Sequence, residues 1–103
     1  MKIKLELDQE KIAEYCRRWK ITELAFFGSV LREDFGPESD VDVLVTFSTD
    51  AHWSLFDKMH MQDELAEMFG REVDLVSRRA IEQSRNWLRR EAILSSLEVI
   101  HVV

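Results

Sequence analysis

Two carboxylates set two residues apart at the head of an apolar run can grip a cation, and Asp40-Val41-Asp42 followed by Val43-Leu44-Val45 is such a pair. Strand side chains alternate between faces, so Asp40 and Asp42 share one side while Val41 and Val43 take the other. Ten residues separate this pair from an earlier apolar run that ends at Phe26-Phe27-Gly28-Ser29. A buried strand that stops at Gly-Ser and feeds a helix presents exposed N–H groups and a helix dipole to phosphate. Gly28 lets backbone approach a ligand closely, and the Ser29 hydroxyl can donate to a phosphate oxygen. Paired carboxylates are costly unless a cation or hydrogen bonds compensate them, and Mg²⁺ suits all-oxygen ligands while completing its shell with water and phosphates. A third carboxylate, Asp74, interrupts the apolar segment Val73 to Val76, where Asp is disfavoured without a reason. Together these residues point to a nucleotide site. Each piece also has a plainer reading: a Ser39-Asp40 turn with Asp42 exposed on an edge strand, and an ordinary strand-to-helix turn at Gly28-Ser29.

The elements that would carry these groups follow from periodicity and caps. Ile3, Leu5 and Leu7 alternate with charged residues, as in a short edge strand or ordered lead-in. Asp8 is a good N-cap for a helix to about Lys20, with Ile12, Cys16 and Trp19 inward; Cys16 on that stripe is a structural thiol. Ile21 to Phe27 reads as a central strand, followed by a short helix from Ser29 through Asp34 on which Arg32 faces the phosphates or pairs with Glu33 or Asp34. Phe35 to Ser39 is turn chemistry that presents Asp40. After a strand Val41 to Phe47, Ser48-Thr49-Asp50 can cap a helix from about His52 or Trp53 to Phe69. Its predicted inward stripe is Leu55, Met59, Ala66 and Phe69, with Leu65 beside it and Met61 and Met68 flanking.

Gly70 suits a helix C-terminus, and Arg71 to Val76 then makes the strand that holds Asp74. Glu72 shares a face with Asp74 but reads as solvent-exposed and stays outside the site. Arg78, Arg79, Arg85, Arg89 and Arg90 cluster on a connection and a helix ending near Leu94, with Leu88, Ala92 and Trp87 inward. The cluster reads either as a solvated face balancing Glu82 and Glu91 or as a patch facing a partner or nucleotide. Leu97 to Val103 reads as a final edge strand, and His52, His60 and His101 as surface or packing residues. The expected fold class is α/β (α+β), a small mixed β-sheet with helices packed on it.

Composition bounds the partners. At 103 residues the chain is expected to form one domain, 1–103, without room for a separate substrate-binding domain, so a large substrate must arrive on a partner. A formal charge of −6 opposes general nucleic-acid binding, which relies on clustered Lys and Arg. One cysteine allows no internal disulfide, no stretch reaches membrane-spanning length, and the start lacks a signal-peptide core, so the expected compartment is cytoplasmic.

Gly28-Ser29, ten residues, then Asp40-x-Asp42 resembles the signature of the DNA polymerase β-like nucleotidyltransferase superfamily. The short chain and the Gly28-Ser29-Val30-Leu31-Arg32-Glu33-Asp34-Phe35 segment look most like its minimal nucleotidyltransferases (MNT), the antitoxins of HEPN/MNT toxin-antitoxin pairs. Val73-Asp74-Leu75-Val76 sits where that family places its third acidic strand. The resemblance implies nucleotide binding at Gly28, Ser29 and Arg32, and two Mg²⁺ ions held by Asp40, Asp42 and Asp74, with ATP as substrate. It further implies transfer of AMP to a tyrosine hydroxyl of a cognate HEPN ribonuclease, with occlusion by a non-catalytic antitoxin as the alternative. Many relatives carry a small residue and then Arg-Gly after Gly-Ser; here Leu31-Arg32-Glu33 occupies the segment, which retains the charge at Arg32.

Overall fold

A computed structural model describes residues 7–28 and 40–103. In chain order the elements are α1 (Gln9–Arg18), β1 (Ile21–Phe27), β2 (Val41–Phe47), α2 (Leu55–Phe69), β3 (Val73–Ser77), α3 (Arg78–Glu82), α4 (Trp87–Ser95) and β4 (Glu98–Val102). The described residues form a four-stranded mixed sheet in the order β3-β2-β1-β4. β1 runs antiparallel to both β2 and β4, whereas β2 and β3 are parallel, with α2 making the crossover between them. This is the expected α+β architecture, with β4 at one edge.

Local chemistry explains the element ends. Asp8 caps α1 through its side chain, which accepts from the N–H groups of Glu10 and Lys11 at 3.1 and 3.2 Å. Lys20, at φ 56°, turns the chain straight into β1. Ser54, rather than Ser48 to Asp50, caps α2, and it does so in a reciprocal box with Asp57. That correction has a cause. Ser48 donates its N–H to the Lys20 carbonyl at 2.8 Å, and Asp50 accepts from Ser48 Oγ and from Lys20 Nζ, so both are committed to the α1–β1 junction. Gly70 ends α2 in the left-handed conformation, φ 66°.

The two sheet faces are covered by different helices. On one, Phe26, Val41, Val43 and Val45 pack with Ile12, Tyr15 and Cys16 of α1 and Met61 and Leu65 of α2. The Tyr15 hydroxyl, buried here, donates to the Met61 carbonyl at 3.1 Å and ties the helices together. Burial pushes the Cys16 thiol up to about 11, which keeps it a protonated packing group. On the other face, Phe27 and Leu44 pack with Ile81 of α3 and Ile93 of α4. Among the described residues no helix is long and apolar enough to cross a membrane.

Two helices turn differently from expectation. Leu55 and Met59 are 73% and 53% exposed, and the buried positions of α2 are Met61 and Leu65. Ala66 and Phe69 of the expected stripe do pack against the core, as do Leu65, Met61 and Met68 beside it, so the error is confined to Leu55 and Met59 at the start of the helix, where apolar residues lie on more than one side. In α4, Leu88 and Trp87 are likewise exposed, as is Ala92, and Ile93 enters the core. The arginine cluster is divided between α3, its connection and α4: Arg78 pairs with Glu23 at 3.5 Å and Glu82 at 3.8 Å, and Arg90 donates to the Ser84 carbonyl. Residues 1–6, including Ile3 and Leu5 of the expected lead-in strand, lie outside the described residues, while Leu7 packs against the core.

These phases can be read out in urea unfolding. Leu65→Ala should cost about 2–5 kcal/mol, whereas Met59→Ala should change stability by less than about 0.5 kcal/mol; equal losses would put the helix back in the expected phase.

Candidate active site

The parallel register of β2 and β3 aligns Val41 with Val73, Asp42 with Asp74 and Val43 with Leu75. Partners in register project to the same side, so Asp42 and Asp74 form a side-by-side carboxylate row. Pairing reaches back one step further, because the Val41 N–H donates to the Glu72 carbonyl at 2.9 Å. This fixes the strand at Asp40, which alternation sends to the same side as Asp42. Leu44 and Val76, two residues on, share that face and are covered by α3 and α4. The carboxylates therefore lie at the amino end of this face, beyond the part that α3 and α4 cover.

Gly28 explains how this end is closed. Phe27 is the antiparallel partner of Asp42, and the chain leaves β1 at Gly28 with φ 72°. A Cβ at this position would overlap Asp42 Oδ2 and stand 3.3 Å from Asp42 Cγ. Glycine is thus required twice, for its conformation and for the space its missing side chain leaves to a carboxylate. The sequence reading assigned that space to a ligand; in the structure the Asp42 side chain uses it.

Burial sorts the three acids. Asp42 is half-buried on an interior strand, which removes the exposed-edge reading for it, while Asp40 and Asp74 are exposed and Asp74 lies on edge strand β3. The desolvation argument for Asp74 accordingly does not operate; its link to the site is register. Among the described residues no three His, Cys, Asp or Glu side chains stand together as a set of metal ligands. The donor chemistry of the row nevertheless fits a hard dication such as Mg²⁺, since every donor is a carboxylate oxygen. Ser29 and Arg32, the short helix that would carry them and the turn 35–39 lie outside the described residues.

Comparison with known proteins identifies the family. A family model for the nucleotidyltransferase domain matches residues 9–100. The chain belongs to that family. Among nucleotidyltransferase relatives, a candidate protein adenylyltransferase from Methanocaldococcus jannaschii is 30% identical over 64 residues, which is 62% of this chain and 64% of that protein. The chain thus spans just under two thirds of that relative's length. The solved structure of a candidate minimal nucleotidyltransferase superposes with a TM-score of 0.66 at 30% identity, covering 87% of this chain and 86% of that one. A chain in the complex of tri-AMPylated Shewanella oneidensis HEPN toxin with MNT antitoxin gives a TM-score of 0.61 at 18% identity, covering 92% and 70%. At that identity the likeness is one of fold.

The two described left-handed glycines make a matched pair for testing the corner. Gly70→Ala meets nothing within 4 Å and should cost about 1–2 kcal/mol for its conformation alone. Gly28→Ala should cost measurably more in thermal unfolding, because it also displaces Asp42; equal costs would deny the close packing of Asp42 on Gly28.

Proposed function

We propose that this chain, as a single domain 1–103, is a Mg²⁺-dependent adenylyltransferase that transfers AMP from ATP to a tyrosine hydroxyl of a cognate HEPN toxin and so acts as an antitoxin. The observation that supports this most is the in-register Asp42–Asp74 row beside Gly28, in a chain of the nucleotidyltransferase family. The adenylyltransferase and MNT antitoxin named among its relatives supply the donor and acceptor classes.

In this reading Asp40, Asp42 and Asp74 would hold the two Mg²⁺ ions, and Gly28, Ser29 and Arg32 would bind the nucleotide. When bound, Mg²⁺ neutralises phosphate charge and lowers the pKa of the acceptor hydroxyl. The hydroxyl oxygen attacks the α-phosphorus, a new P–O bond forms as the bond to the bridging oxygen breaks, pyrophosphate leaves and the hydroxyl proton is lost. The half-buried position of Asp42 helps to hold its carboxylate in place, while the exposure of Asp74 leaves room for an acceptor presented by another protein. Arg32 would pair with phosphate oxygens. The net charge of −6 agrees with a protein rather than a nucleic-acid acceptor.

A second reading, neutralisation by occlusion, draws on the exposed apolar side chains Leu55, Phe56 and Met59 of α2 and Trp87 and Leu88 of α4, which suit a protein partner. Incubation with α-labelled ATP, Mg²⁺ and the neighbour-encoded toxin separates the two. Label should enter the toxin with the native chain and fall to background with Asp40→Ala/Asp42→Ala; no label in either case refutes transfer. Asp42→Asn should retain the complex but lose neutralisation, whereas retained neutralisation would establish occlusion.

A further inference from the structure

The end of the sheet opposite the carboxylates carries its own feature. Beyond the last residues of β2 and β3 a cavity of about 450 Å³ opens between the start of α2 and α3, within the size range of small-molecule sites. Crevices outside the carboxyl ends of parallel strands are where open α/β sheets take ligands. The cavity's nearest lining residues on the strands, Val45 and Ser77, lie three positions beyond Asp42 and Asp74, about 10 Å at about 3.3 Å per residue, and Leu44 and Val76, packed under Ile81 and Ile93, stand between the two.

Its lining is basic in an acidic chain. Lys58, Arg78 and Arg79 face a single carboxylate, Glu82, with His52 and Trp53 adding aromatic surface. Arg78 is already engaged by Glu23 and Glu82, which fix this wall between β1 and α3. Lys58 and Arg79 make no ion pair among the described residues, and Ser48 and Thr49 add hydroxyls. Trp53 is anchored by its indole N–H to the Trp19 carbonyl at 2.9 Å and by an edge-on contact with the Trp19 ring. A rigid aromatic, two uncommitted cations and hydroxyls around a concave space match a phosphate group, with or without an attached ring.

We infer that this cavity is a second anion site, taking a phosphate-bearing small molecule through Lys58 and Arg79, independent of the carboxylate row. The test is a ¹H–¹⁵N titration of the full chain in EDTA, with inorganic phosphate in one arm and AMP in the other. Saturable shifts are expected for backbone amides of His52 to Lys58 and Ser77 to Arg79. Lys58→Gln/Arg79→Gln should weaken the apparent affinity by about tenfold or more, as loss of charged donors implies, while Arg89→Gln, on α4, leaves it unchanged. Tighter binding of AMP with a shift of the Trp53 indole assigns a nucleotide; equal binding in both arms assigns the phosphate group alone. Absence of saturation, equal weakening by Arg89→Gln, or shifts confined to the Gly28–Asp42 corner would overturn the inference.

Discussion

Parallel pairing of β2 with β3 in the register Asp42 to Asp74 is the constraint from which the candidate site follows. A one-residue slip would turn Asp74 to the opposite face and bring Leu75 or Val73 beside Asp42. That slip is opposed on both sides. Val73 must stay on the face where Val41, Val43 and Val45 meet α1 and α2, and Val76 on the face of Leu44, Ile81 and Ile93. The hydrophobic core therefore sets the acidic row, and Gly28 admits Asp42 to its place at the turn out of β1.

The sheet separates two kinds of charge. Its amino end, counted along β2 and β3, collects carboxylates; its carboxyl end collects Lys58, Arg78 and Arg79 around a cavity. Within a net charge of −6, the lining of this cavity is locally basic, with Glu82 the one carboxylate beside Lys58, Arg78 and Arg79. The ion pair of Arg78 with Glu23 crosses from α3 to β1 and fastens the basic end to the strand that ends at Gly28. Helix α2 joins the two parallel strands, and its first two turns leave Leu55, Phe56 and Met59 in solvent. That surface is available to a protein without disturbing the core.

Strand patterns and end signals were legible in the residues. β1 and β2 have the bounds that their apolar runs imply, Asp8 caps α1, and Gly70 terminates α2. Alternation implies a shared side for Asp40 and Asp42; Asp74 stood out as an interruption of an apolar segment, but what brings it beside Asp42 is strand register, which that segment alone does not reveal. Helix phase was less legible. Along α2 Ala66 and Phe69 reach the core as their spacing implies, but Leu55 and Met59 compete with Met61 and Leu65 for the inward side, and only the packing against the sheet and α1 selects the second pair. The cap at Ser54 was obscured by Ser48 and Asp50, whose partner Lys20 is remote in sequence. The same distance hid the pairing of Arg78 with Glu23, and the basic cavity, assembled from three separate segments, has no sequence signature.

Manganese-induced broadening of amide resonances, recorded on the full chain with a non-hydrolysable ATP analogue, tests the carboxylate row most directly. The account predicts metal-dependent loss of signal centred on Gly28, Asp40 to Asp42 and Asp74, abolished by Asp40→Ala/Asp42→Ala. Broadening that leaves Asp74 and Gly28 sharp, or that survives the double substitution, would contradict it.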